Sequence, residues 1–225
     1  MRRWWWLLPA LGGAGLAGLI MVVLPPDRTI DNVGEVLFKV SPLLLAVLAI
    51  AGFPRRPGLG LAALGVLVVG YMGVVDTLNI THILNYAEAT NQDAAFPELY
   101  QFTIFVNAFT VLAVLFAYRL GGAPADRVVK AGLAVVLVVI SGLNDLTFYY
   151  TYDWPGGRPA ELRWASHISV FVGGPPSASA AIAFCSVHLG LAAMVLALPL
   201  RRWLERLTAR MTPRARPGAA EPAGQ

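Results

Sequence analysis

Charge is scarce in this chain. Of 225 residues only 13% are Asp, Glu, Lys or Arg, against the usual quarter in a soluble globular domain. With 57% hydrophobic residues and a mean hydropathy of +0.63, that shortage excludes a soluble enzyme and a disordered protein. It also excludes a nucleic-acid-binding face behind the basic pI. Cysteine is nearly absent. Cys185 stands alone, which leaves no intrachain disulfide framework and no CxxC or cysteine-rich metal site. Lysine is rare too, since 15 of the 17 cations are Arg. Together with 22 Gly and abundant Ala and Val, this points to a GC-rich bacterial genome. Catalytic signatures are also missing. No GxxxxGK[ST] or GxGxxG opens a helix, and no Gly-x-Ser-x-Gly occurs, so a nucleotide site and a serine-hydrolase elbow lack support.

Long apolar runs are what the chain does have. A hydrocarbon core of about 30 Å takes about 20 apolar residues in a helix. Trp4–Leu24 is uncharged for 21 residues, follows Arg2-Arg3 and stops at Pro25-Pro26. It is too long for the apolar region of a signal peptide and lacks a small-residue cleavage site. Further runs fall at 36–53, 58–80, 99–118, 128–150 and 177–200. Pro54–Pro57 and Gly121–Asp126 are tight connections, whereas Glu88–Glu98 and Asp153–Trp164 are longer polar loops. The pattern predicts an all-α membrane protein: six transmembrane helices in one bundle over residues 1–211, with a disordered cytoplasmic tail over 212–225.

Orientation follows from the cations, which accumulate on the cytoplasmic side. With both termini inside, 13 of the 17 cations fall inside and 10 of the 13 acids outside. Trp4–Trp6 and Trp203 then mark the inner boundary, and Tyr100, Tyr149, Tyr150, Tyr152, Trp154 and Trp164 the outer one. Residues 201–211 set Trp203, Leu204 and Leu207 among arginines, as a short interfacial helix on an anionic leaflet would. The expected home is a bacterial inner membrane, and the expected partners are the bilayer and a membrane-protein partner, not nucleic acid.

Counting 1.5 Å per residue from the inner cations gives depth. Asp145 lies about 22 Å from Lys130, His188 about 20 Å from Arg201 and Asn107 about 18 Å from Arg119. Three spans thus set polar groups in one layer of the outer half. An ionisable group in hydrocarbon costs about 2.5–3.5 kcal/mol on insertion scales and needs a reason. One reason is function. Asp145 and His188 would face each other as a proton-handling pair or as two ligands of a metal, with Asn107 and Asn144 completing the hydrogen bonds and Tyr149 on the face of Asp145 at i+4. The other is a buried polar network that fixes helix packing.

A shallower set holds Asp76, Asn79 and His82 at i, i+3, i+6, with His167 beyond the outer loop. Asp and His from separate segments suit zinc or copper, although a solvated rim accounts for the same residues. The expectation is an outward-facing Asp/His site that binds or acts on a lipid-like small molecule or a metal. The alternatives are a non-catalytic subunit or assembly factor that meets a partner through its outer loops, and a proton-coupled transporter.

Overall fold

The computed structural model describes residues 4–27, 29–55 and 57–199. Arg2, Arg3, Arg28, Arg56, the expected interfacial helix over 201–211 and the tail over 212–225 lie outside the described residues. Within them the chain is helical, apart from its connections and one isolated bridge between Glu161 and Ser177. The helices are α1 (Leu7–Gly18), α2 (Val33–Gly52), α3 (Pro57–Gly70), α4 (Asp76–Glu88), α5 (Gln92–Leu120), α6 (Ala125–Val139), α7 (Leu143–Thr151), α8 (Ser166–Val172) and α9 (Ala178–Ala197). Four stretches are long and apolar enough to cross a membrane: α2, the continuous Gly58–Glu88, α5 and α9. Helices α6 and α7, bent by 41° at their break, make a fifth if taken as one span. The first expected span is shorter, an apolar helix over Leu7–Val23.

Its ending has a local cause. The last turn of this helix, Leu19–Val23, is π-helical, so the carbonyl of Ile20 would seek the N–H five residues on, and Pro25 has none. The Gln101 side-chain amide of α5 donates to that carbonyl at 2.7 Å instead. A second π turn, Tyr71–Val75, joins α3 to α4 without breaking the run. That run continues to Glu88, and α5 already starts at Gln92, where the Asn91 side chain accepts from the Ala94 N–H at 3.1 Å. The polar loop expected over Glu88–Glu98 is therefore a short link between two long helices. Its Glu, Gln and Ala residues are good helix formers once Asn91 caps the end.

Helix α2 is the hub, packed against α1, α5 and α6, while α9 packs on α6 and α4 on α5. The contact of α2 with α6 depends on Gly132, where a Cβ would run into both methyls of Val47. Val47, Ala51, Leu115, Ala123 and Val128 form the core at the end of the bundle that carries Arg55 and Arg119. A second core, at the other end, gathers Leu146, Tyr149, Leu162, Ala165, Ile168, Ala181 and Cys185. It contains α8, a helix the hydropathy pattern did not single out. Leu162, Ala165 and Ile168 are fully buried, and the Leu162 N–H donates to the Pro176 carbonyl at 2.8 Å. The segment after the outer loop thus folds back onto the bundle before α9 begins.

Candidate functional site

The site grows out of the α6–α7 break. Gly142 takes φ +73°, a left-handed conformation that side-chain-bearing residues resist. A Cβ there would also meet Ile168 Cδ1 at 2.5 Å and His167 Nε2 at 3.5 Å. The Ser141 hydroxyl donates to the Val138 carbonyl at 2.7 Å and accepts from the Leu143 N–H at 3.2 Å, which holds the corner. Helix α7 therefore starts inside the bundle, with Asp145 in its first turn. A carboxylate suits that place, because unpaired N–H groups and the helix dipole favour negative charge there.

Asp145 is 6% exposed. Its Oδ2 faces Nε2 of His167, on α8, at 3.6 Å. That separation is too long for a hydrogen bond, and neither atom has another partner among the described residues. His188 on α9 lies within electrostatic reach of His167, and Tyr100 on α5 within reach of Asp145. Nδ1 of His188 is 2.9 Å from the Phe184 carbonyl. A carbonyl only accepts, so Nδ1 carries a proton in this contact. The contact seen directly is that of the α7 carboxyl with the α8 imidazole; His188 and Tyr100 interact with it electrostatically.

The expected site is rearranged. The side chain that faces Asp145 is His167, not His188, because α8 inserts at the Gly142 corner. Asn107 and Asn144 stay out of the cluster, and both are exposed on the bundle surface. Asn107 comes five residues after buried Phe102, which puts it about 140° round the helix from the packed face. Tyr149 lies in the core beside Asp145's helix face, but its hydroxyl donates to the Pro159 carbonyl at 3.1 Å. Asp76, Asn79 and His82 are all half-buried, as their shared helical face implies. His82, however, turns to Glu98 at 3.2 Å and lies against the Phe102 ring at 4.4 Å. The two histidines expected to share a zinc or copper ion thus face different carboxylates. No three His, Cys, Asp or Glu side chains converge on a metal position among the described residues.

Sequence reading missed Tyr100, assigned to the interfacial belt, and the closeness of His167 to Asp145. The pairing could have been suspected from Ser166–Val172, a short apolar stretch between Trp164 and the Gly173-Gly174 stop. No family model, curated protein or solved structure matches the chain.

Proposed function

We propose that the protein is a six-span bundle of a bacterial inner membrane with both termini cytoplasmic, and that Asp145 and His167 form its proton-exchange centre. In this reading the centre serves a small lipid-soluble molecule that reaches it between helices. Three features support the threading. Thirteen of the 17 cations lie at one end of the apolar runs, large hydrophobic residues cover the outside of α3, α4 and α9, and the 17-residue helix over Leu7–Val23 is at the short end of what spans a bilayer.

The observation that carries the chemistry is the approach of two buried titratable side chains, with Asp145 Oδ2 3.6 Å from His167 Nε2. A carboxyl and an imidazole this close, held away from solvent, are suited to passing a proton between them, directly after a small closure or through the hydroxyl of a bound molecule. Asp145 accepts the proton from the bound group. His167 takes it up at Nε2, and the resulting imidazolium is stabilised by the same carboxylate.

Difference infrared spectroscopy in lipid nanodiscs tests this. A carboxylic-acid band that titrates between about pH 4 and 9, disappears in Asp145→Asn and moves in His167→Gln is the expected result. A band absent or constant across that range, in a folded protein, would remove the proton-exchange reading.

A further inference from the structure

A cleft of about 320 Å³ opens between the end of the first helix, the start of α2 and α5, lined by Ile20, Leu24, Pro25, Asp27, Glu35, Phe38, Lys39 and Gln101. Its volume is within the range of small-molecule sites. The walls divide by chemistry. Ile20, Leu24, Pro25 and Phe38 give an apolar floor, and Asp27, Glu35 and Lys39 a charged rim with one more carboxylate than ammonium. The Lys39 ammonium is 2.7 Å from Glu35 Oε1 and 3.3 Å from Asp27 Oδ2, and it donates to the Thr29 carbonyl at 2.8 Å. A single ammonium therefore sits between two acids. Gln101, spent on the Ile20 carbonyl, fixes the back wall.

An apolar floor under a rim of mixed charge fits an amphiphile. The excess carboxylate selects a cation over a second anion, and both acids are hydrogen-bond acceptors, so the cation should carry N–H groups. The three N–H groups of Lys39 are already engaged, so an anionic group on the same molecule would take the place of Asp27, the longest of the three contacts. We propose that the cleft binds a bilayer phospholipid whose headgroup ends in a primary ammonium. The ammonium lies against Asp27 and Glu35, the phosphate against Lys39, and the acyl chains run along Ile20, Leu24 and Phe38. Trimethylated headgroups lose the N–H donors, and headgroups without a cation meet net repulsion. This site is separate from Asp145 and His167 and stands whether or not those residues exchange a proton.

Native mass spectrometry from mild detergent measures it. The full chain is titrated with chain-matched phosphatidylethanolamine, phosphatidylglycerol and phosphatidylcholine, and with dodecylamine. Phosphatidylethanolamine should be retained about fivefold better than either other lipid, and Glu35→Gln or Asp27→Asn should each remove about that factor, the most one exposed ion pair is worth. Asp27 lies in a connection, so Asp27→Asn keeps the test readable if Glu35→Gln, at the start of α2, unfolds. Equal retention of the three lipids, or retention unchanged in the variants, would overturn the site. Displacement of phosphatidylethanolamine by dodecylamine at equal concentration would overturn the phospholipid assignment, since the phosphate would then contribute nothing.

Discussion

Arg119 donates from Nε and Nη2 to the single carbonyl of Phe53, at 3.1 and 2.9 Å. Its Nη1 reaches the Ala123 carbonyl at 2.8 Å, which also accepts from Arg55. One guanidinium thus ties the end of α2 to the α5–α6 turn while only 8% exposed. A lysine ammonium cannot span both carbonyls with the same fork. Arg119→Lys should cost about 2 kcal/mol through buried acceptors left unpaired, read as a lowered unfolding midpoint in detergent. Arg55→Lys, at an exposed position, should change it little.

The proposed threading predicts which loops face the cell exterior. In a Cys185→Ala background, a membrane-impermeant thiol reagent on intact cells should label Thr90→Cys, in the short link between α4 and α5, and miss Ala125→Cys at the start of α6. Both positions are exposed in the fold, so burial does not decide the outcome. The reverse pattern would invert the protein in the membrane.

Acid should loosen the segment before α2. Partial burial of Asp27 opposes its ionisation, but the Thr29 N–H and hydroxyl, with Lys39, outweigh it and hold the carboxyl below its ordinary value. A lowered folded pKa means that the stabilisation is present above the unfolded value of about 3.9 and is lost as pH falls through the folded one. Asp27→Asn should therefore lower stability modestly in the neutral region, where the ionised carboxylate contributes, and flatten the acid limb of the stability curve below about pH 4. An acid limb of the same steepness in the variant would show that Asp27 does not contribute to it.

Much of the helical framework is legible in composition and run length, because each long helix must be apolar across the hydrocarbon. Ends are less legible. The Asn91 cap converts an apparent polar loop into helix, and Pro25 ends the first helix through a π turn that hydropathy does not register. At the site, Asp145 could be singled out because it is the one acid in its apolar run. Its partner could not, since depth counting treats each span as straight and regular. Gly142 breaks that assumption. Its left-handed backbone bends the span and admits α8, so that His167, far along the chain in a loop-like stretch, arrives at Asp145 ahead of His188. Exposed Asn107 and Asn144 show the other side of the same limit, because depth alone does not fix the direction in which a side chain points.

In the proposed centre Asp145 and His167 share an exchangeable proton. Solid-state NMR of the ¹⁵N-histidine-labelled protein in lipid tests it most directly, with the His167 resonances assigned by their loss in His167→Gln. The account predicts that the two ring-nitrogen shifts of His167 titrate with pH and that the titration moves to lower pH in Asp145→Asn, where the imidazolium loses its carboxylate. His167 shifts that are the same in the wild type and in Asp145→Asn at every pH would contradict it.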